Sequence, residues 1–330
     1  MILIFSIQQD YSTNTVIQWL HHLGKDVIRM NGDDDAYILK KIDEQGIYFY
    51  NRFTGETINL LQAEACWWRR IGIRKKHLVP EDCAANAINA NTQIIKQLFK
   101  DHVNHEADAL NKYICETLYQ KIPINLGGPV FDLNRLCVLE QARRLGLKTP
   151  KFEIITDGEQ LKMSKNTLGK IVTKAISNGL YDIYGNQRYY TYTELVEEEF
   201  YCDNEANTFA PSLITELVEK EYEIRSFYID GKFFSMAIFS QSSEDSKTDY
   251  RISPPGVEVP YKLPLPIEQK LRKLYESLNL NTGSADLIVD KQGEYVFLEI
   301  NPVGQFGMTS IPCNYNLEKV IAKYLAHGRI

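Results

Sequence analysis

One short stretch near the C-terminal end constrains the fold of this chain more than any other. Residues 285–290 and 294–300 are two apolar runs separated by Lys-Gln-Gly, a pattern that predicts a β-hairpin. With the turn centred on Gln292 and Gly293, Asp286 lies directly across from Glu299, and Asn301 shares the face of Glu299 because side chains alternate along a strand. The opposite face is aliphatic and is expected to close a core. Its members are Leu287, Val289, Val296, Leu298 and Ile300.

Two carboxylates that face each other across a strand pair repel each other unless a cation lies between them. Oxygen ligands from Asp286, Glu299 and Asn301 suit Mg²⁺ better than zinc or a redox metal, and they leave positions for phosphate oxygens. Removing either carboxylate is then expected to leave the metal-free protein at least as stable. The other interpretation is an edge hairpin with a solvated polar face, in which Asn301-Pro302 merely ends the strand. The spacing alone does not decide between the two.

The bulk properties fit a folded protein of two or three domains. The chain has 330 residues, of which 44% are hydrophobic and 24% are charged. A net charge of −6 argues against broad affinity for nucleic acid or for anionic membranes. No run of residues reaches the apolar length of a transmembrane helix, and the N-terminus lacks the basic flank of a signal peptide. We expect a cytoplasmic protein with no nucleic-acid or membrane partner, and we also expect a homodimer.

Neither the cysteines nor the common catalytic motifs indicate a site. The cysteines at 66, 83, 115, 137, 202 and 313 show no C-x-x-C spacing and no histidine pairing, so they indicate neither a disulfide framework nor a zinc site. Cys66 and Cys137 lie in apolar sequence and are expected in the core. Phosphate-binding P-loops, dinucleotide-binding glycine motifs and G-x-S-x-G elbows are absent from the sequence.

The order of predicted elements suggests an α/β opening followed by a larger second part. Residues 1–7 read as a strand, and a helix follows with Val16 and Leu20 at helical spacing. The Asn-Leu-Gly-Gly-Pro run at 125–129 marks the first boundary. A helix is predicted over 134–145, and strands over 212–218, 222–229 and 233–239. The proline-rich stretch 254–266 is expected to be extended loop, and residues 177–187 and 241–251 are expected to be mobile.

Four further features fit a nucleotide site. Lys174 lies on an apolar strand, where an ammonium is costly unless it meets an anion such as phosphate. The backbone of Glu216–Glu219 can pair with an adenine edge. Arg225 and Arg251 carry guanidinium groups that suit a γ-phosphate. Taken singly, such a lysine is more often a strand-end residue that reaches solvent, and each arginine is more often a surface ion-pair partner.

The order of these features resembles the ATP-grasp superfamily from about Asn125 to the C-terminus. The ordered set comprises the strand lysine, Glu-Leu-Val at 216–218, E-x-R ending at Arg225, D-x-R ending at Arg251, Asp286, and Leu-Glu-Ile-Asn-Pro at 298–302. Residues 297–306 are similar to peptide maturases of the microviridin type, the "grasp-with-spasm" branch of ω-ester and ω-amide ligases. The opening supports this branch through Asp10-Tyr11-Ser12-Thr13-Asn14 and Trp67-Trp68-Arg69-Arg70.

The resemblance implies an α/β (α+β) ATP-grasp fold with three domains. A pre-ATP-grasp domain would cover 1–124, a central lid domain 125–211 and a C-terminal domain 212–330. It further implies ATP and Mg²⁺ as cofactors, with Asp286, Glu299 and Asn301 on the metal and Lys174 on the nucleotide phosphates. The remaining implied roles are the adenine linker at Glu216, Leu217, Val218 and Glu219 and the catalytic arginines Arg225 and Arg251. One departure is Asn134-Arg135, where the family usually has Asn-Lys, so that Arg135 takes the place of a nucleotide-binding lysine.

The function implied by the resemblance is an ADP-forming ligase that acts on a ribosomally made precursor peptide. ATP would phosphorylate an Asp or Glu side chain of the peptide core, and a Ser or Thr hydroxyl or a Lys amine would then close a macrocyclic ester or amide. The precursor would carry a leader and a core rich in Thr, Ser, Asp and Glu. Two alternatives remain open: a ligase that adds free amino acids to a peptide or protein carboxylate, and a non-catalytic ATP-binding regulatory module.

Overall fold

A computed structural model describes residues 1–79, 93–130, 133–177, 181–184, 187–190, 193–197, 207–239 and 256–330. The strands are β1 (Ile2–Ser6), β2 (Val27–Asn31), β3 (Tyr37–Asp43), β4 (Gly46–Asn51), β5 (Thr57–Asn59), β6 (Ala65–Trp68), β7 (Ile124–Leu126), β8 (Phe152–Asp157), β9 (Ile171–Lys174), β10 (Tyr181–Tyr184), β11 (Gln187–Tyr190), β12 (Glu194–Leu195), β13 (Thr208–Glu216), β14 (Lys220–Ile229), β15 (Lys232–Phe239), β16 (Val257–Tyr261), β17 (Thr282–Asp290) and β18 (Tyr295–Asn301). The helices are α1 (Tyr11–His22), α2 (Lys75–Leu78), α3 (Gln93–Lys121), α4 (Arg135–Arg144), α5 (Gly158–Leu168), α6 (Leu265–Ser277), α7 (Gly307–Ser310) and α8 (Leu317–His327), with a 3₁₀ turn at Leu60–Gln62.

The chain divides into two compact units. Unit 1 comprises Met1–Phe131 and Asn316–Ile330, and unit 2 comprises Asp132–Tyr315. The division into three domains that was expected from the sequence stays a prediction. No helix among the described residues is long and apolar enough to cross a membrane.

Unit 1 is built on a parallel sheet in the order β2-β1-β6-β7. All five residues of β1 are buried, as expected for the central strand of a sheet covered on both faces. An antiparallel sheet, β3-β4-β5, shares its core, to which Phe5, Phe49 and Trp68 contribute. Helix α1 exposes its polar side and buries Val16 and Leu20, which confirms the helical spacing seen in the sequence.

Unit 2 contains the antiparallel sheet that carries most of the predicted site. Its order is β16-β15-β14-β17-β18, and α4 and α6 contribute to the core on one of its faces. Helix α4 confirms the helix predicted over 134–145, and the Asn134 side chain caps it by accepting from the backbone N–H groups of Leu136 and Cys137. A smaller sheet, β12-β9-β13-β8, has its own core around Ile155, Leu161 and Ile214.

The β17–β18 hairpin has the predicted pairing of Asp286 with Glu299, reached by a different path. Residues 291–293 form a three-residue turn in which Gly293 has a φ of +82° and its N–H donates to the Asp290 carbonyl. This turn shifts the register by one residue relative to a two-residue turn. A bulge in β18, where Leu298 is the extra residue, shifts it back, so that Leu287 pairs with Phe297 while Asp286 pairs with Glu299.

Because of the bulge, the residues of β18 that face the core differ from those predicted. Leu287, Val289 and Ile300 lie in the main core of unit 2 as expected, but Phe297 joins them in place of Val296 and Leu298. The extra residue in the bulged strand reverses which side chains face the core on the turn side of the bulge, and this is the reason for the difference.

Two other expectations are wrong. Part of the proline-rich stretch 254–266 is not loop, because β16 lies within it and pairs with β15, with Pro260 opposite Met236. An edge strand tolerates proline since one side of its backbone needs no partner. Cys137 is exposed, whereas Cys66 is buried. The apolar stripe of α4 runs through Val138, Leu139 and Ala142, and Cys137 lies outside it.

Candidate active site

Asp286 and Arg225 form an ion pair on neighbouring strands. The register of β14 and β17 places the two residues directly opposite each other. Arg225 Nη1 donates to Asp286 Oδ1 at 3.3 Å and to Oδ2 at 3.2 Å. The exposed fractions of the two side chains are 7% and 20%, so the pair is held in a largely dry environment. The polar face of β14 therefore meets the predicted metal-binding face of β17.

Glu299 and Arg135 form a second ion pair close to the first. Arg135 is the first residue of α4, and its Nη2 donates to Glu299 Oε2 at 2.8 Å. Its Nη1 donates to the backbone carbonyl of Ala175, directly after β9. Arg135 thus links the five-stranded sheet to the smaller sheet that contains β9, at the position where the resemblance expects a nucleotide-binding lysine.

Lys174 is the third basic group at this place. It is half-buried at the end of β9 and makes no ion pair or hydrogen bond through its ammonium with any described residue. Burial, the largest cause, and the neighbouring Arg135 charge lower the pKa of Lys174 to about 8, against the opposite effect of Glu299. An ammonium in this setting is short of negative charge, so an anion bound nearby would be stabilised.

Asn301 lies at the end of β18, where Ser284 pairs with it. Its Oδ1 accepts a hydrogen bond from the Val303 N–H at 3.0 Å, which turns the chain after the strand. The amide oxygen has a second lone pair. The structure thus shows the strand-ending role of Asn301, and its role as a metal ligand stays a prediction.

The predicted adenine linker connects β13 to β14. Glu216 ends β13, and its carboxylate accepts from the Lys151 N–H at 3.0 Å, while the Leu217 N–H donates to the Lys170 carbonyl at 2.8 Å. Val218 is half-buried, and Glu219 pairs with Lys291 at 2.9 Å on the surface. The two glutamates therefore hold the linker in place, and contact with adenine stays a prediction.

Some predicted features lie outside the described residues. These are Arg251, all of the segment 241–251, and parts of the loop 177–187. The described part of that loop belongs to a hairpin, in which β10 pairs with β11 from Tyr181–Tyr190 to Tyr184–Gln187.

The site brings together Asp286, Glu299, Lys174, Arg135 and Arg225. Sequence reasoning missed the pairing of each carboxylate with a particular arginine, because that pairing depends on strand order and on the position of α4. Within the described part of the chain, no group of three or more His, Cys, Asp or Glu side chains is placed to hold a metal. Two facing carboxylates nevertheless suit Mg²⁺, which is usually held by one or two carboxylates together with substrate phosphates.

Comparison with known proteins reveals structural but not sequence-level relatives. No family model matches the chain, and no curated protein matches it in sequence. It is similar to the macrocyclase MdnC of Microcystis aeruginosa MRC, solved with the precursor peptide MdnA, at 23% identity and a TM-score of 0.75, covering 98% of this chain and 99% of that one. A RiPP-associated ATP-grasp ligase of Chryseobacterium gregarium, solved with ADP and a leader and core peptide, matches at 22% identity and a TM-score of 0.77, covering 100% and 97%.

A third similar structure is the ATP-grasp ligase PsnB, complexed with a minimal precursor, Mg and ADP. It matches at 15% identity and a TM-score of 0.72, covering 98% of this chain and 96% of that one. Likeness over nearly the full length of each chain shows that this protein has the fold of the ATP-grasp ligases. The fold class expected from the sequence is confirmed.

Proposed function

We propose that the protein is an ATP-dependent ligase that closes macrocyclic ester or amide bonds between side chains of a ribosomally made precursor peptide. The observation that carries the proposal is the cluster in unit 2, where Lys174 and two arginines surround a facing pair of carboxylates. An excess of cationic groups around hard oxygen ligands is what a metal-bound triphosphate requires. The precursor peptides and ADP bound to the structures of the same fold favour a peptide substrate and ATP.

Mg²⁺ fits the donor set of the site. Asp286 and Glu299 would hold the ion. Both Asp286 oxygens accept from Arg225 and Glu299 Oε2 accepts from Arg135, and each carboxylate oxygen has a further lone pair for the ion. When bound, the ion would neutralise charge on the nucleotide phosphates. Asn301 is proposed as a further oxygen ligand.

The basic residues and the linker would bind the nucleotide and stabilise the phosphoryl group during its transfer. Lys174 and Arg135 would bind and orient the phosphates, and Glu216–Glu219 would hold the adenine. Arg225, kept in position by Asp286, and Arg251 would stabilise the charge that develops as the γ-phosphoryl group moves to an Asp or Glu carboxylate of the peptide. The acyl phosphate so formed would then react with a hydroxyl or amine of the same peptide and release phosphate. This route needs no enzyme nucleophile.

The proposal is tested by product analysis with a candidate precursor encoded beside the gene. The protein, Mg²⁺, ATP and the peptide are incubated, and the peptide mass and the nucleotide products are measured. We expect the loss of one water per ring together with ADP and phosphate. Glu299→Gln is expected to abolish the reaction, and Lys170→Met, which alters an exposed lysine beside β9, is a matched control that should keep it.

Other products would identify other functions. A mass increase by amino-acid residues would indicate the ligase that adds free amino acids, and unchanged peptide with bound ATP would indicate a regulatory module. Release of AMP and pyrophosphate in proportion to product would refute the acyl-phosphate route. The expected homodimer also stays a prediction, which light scattering of the purified protein would test.

A further inference from the structure

Unit 1 carries a separate cluster of charged side chains at the carboxyl edge of its parallel sheet. The chain leaves β1 through α1 and returns to β2 on one side, while β6 lies on the other side of β1. In open α/β sheets, ligands bind at the carboxyl ends of the strands where the strand order changes direction in this way. Asp10, directly before α1, meets Arg69 and Arg70, which follow β6, at this edge of the sheet.

Asp10 and Arg69 form the buried part of the cluster. Arg69 Nε donates to Asp10 Oδ2 at 2.9 Å, and the two side chains are 4% and 6% exposed. Burial raises the pKa of Asp10, but Arg69, Ser12 and Arg70 together bring it below its usual value. Asp10 is therefore ionised at neutral pH, and its single negative charge balances the charge of Arg69.

Arg70 is left without an equivalent partner. Its Nε lies 3.8 Å from Asp10 Oδ2, which is beyond hydrogen-bond distance, and this buried atom has no hydrogen-bond acceptor among the described residues. Across the described ranges of the chain, no carboxylate other than that of Asp10 lies within 4.0 Å of the Arg70 guanidinium. A buried charged donor without an acceptor is costly. A purely structural role explains Arg69 but leaves Arg70 unexplained.

We propose that this cluster is a carboxylate-binding site in which Arg70 donates to an Asp or Glu side chain of the peptide substrate. The Arg70 side chain is 28% exposed although its Nε is buried, so a ligand from solvent can reach the exposed part of this side chain. A guanidinium offers paired N–H donors in one plane, which match the two oxygens of a carboxylate. The identity of the ligand rests on the proposed function, because a ligase that activates acidic side chains has a substrate rich in carboxylates.

The site is tested by nuclear magnetic resonance on the full-length protein labelled with ¹⁵N-arginine, without ATP. The probe is N-acetyl-glutamate N-methylamide, and the neutral N-acetyl-glutamine N-methylamide is its control. Arg70→Lys keeps the charge but removes the Nε–H, so it assigns the Arg70 signal. We expect a saturable shift of that signal with the glutamate probe only. In Arg70→Ala, the affinity measured on the remaining arginine signals should fall about tenfold or more.

Arg52→Ala is the matched control, because it removes the same charge from an exposed position of unit 1 and should leave the affinity unchanged. Circular dichroism checks that each variant is folded, and Arg70→Gln replaces Arg70→Ala if the latter is not. An equal response to the glutamine probe, tighter binding of inorganic phosphate than of the glutamate probe, or unchanged affinity in the Arg70 variants would overturn the proposal. Since no ATP is present, failure here is distinguishable from failure of the ligase function.

Discussion

Replacing Lys174 by methionine should stabilise the nucleotide-free protein while weakening its binding of ATP. The pKa of Lys174 falls from 10.5 to about 8, chiefly because burial penalises the charged form. At about 1.4 kcal/mol per pKa unit, the charged lysine costs at most about 3.5 kcal/mol of folding free energy at neutral pH. Lys174 is only half-buried, and solvent screens part of this cost, so we expect a gain of about 1–2 kcal/mol.

The stability gained through Lys174→Met should decrease as the pH rises. Below pH 8, Lys174 is charged in both the folded and the unfolded protein, and the folded protein bears the full cost. Between pH 8 and 10.5, the folded protein releases the proton and the unfolded protein keeps it, so wild-type stability rises with pH relative to the variant. The difference between the two proteins should therefore shrink across this range.

Urea unfolding of both proteins, followed by circular dichroism near neutral pH and near the upper end of this range, measures the effect. Lys170→Met is the control, since Lys170 is exposed and its replacement should change stability little at either pH. The affinity of Lys174→Met for Mg-ATP should fall about tenfold or more in a titration. A variant less stable than wild type at neutral pH, or a difference that does not shrink with rising pH, would refute the reasoning.

Three further predictions concern the ion pairs of the candidate site. Asp286→Asn should destabilise the nucleotide-free protein by about 2–4 kcal/mol, because it leaves the buried Arg225 guanidinium without its carboxylate. Glu299→Gln alters the more exposed ion pair and should cost less than about 1 kcal/mol. Urea unfolding measures both values. Because each carboxylate is paired with an arginine, these values differ from the expectation based on the sequence, which was that neither substitution lowers the stability of the metal-free protein. Arg225→Ala should lower turnover about 100- to 1000-fold with a smaller change in the KM for ATP, and steady-state kinetics with near-normal turnover would contradict this. Arg135→Lys should bind ATP within a few-fold of wild type and Arg135→Met about tenfold more weakly, and equal affinities in a titration would exclude a charge contact.

Short-range rules predicted the pairing of Asp286 with Glu299 from the sequence, whereas contacts between residues remote in sequence were missed. A two-residue turn in the predicted hairpin placed Asp286 opposite Glu299, and this pairing is observed because the longer turn and the bulge compensate for each other. The arginine partners could not be predicted, since Arg225 meets Asp286 only through the order of β14 and β17. Arg135 reaches Glu299 across 164 positions of sequence through the placement of α4.

Prediction of the fold from the sequence was also limited by contacts between residues that are remote in sequence. Helix α4 was predictable from its apolar periodicity and from Asn134 as its cap, but the exposure of Cys137 depends on which side of the helix faces a neighbour. The strand β16 was hidden because proline content alone predicts a loop, whereas an edge position in the sheet accepts proline. Each failure concerns a partner that is remote in sequence.

The bulge in β18 and the turn at 291–293 compensate for each other's length. Each shifts the pairing by one residue, in opposite directions, and only together do they bring Glu299 opposite Asp286. A one-residue insertion or deletion in either place would carry Glu299 toward the core face and a hydrophobic side chain toward the site. Length changes in this hairpin are therefore tolerated only in matched pairs, so proteins that share this site should combine either a two-residue turn with a regular strand or a three-residue turn with a bulge.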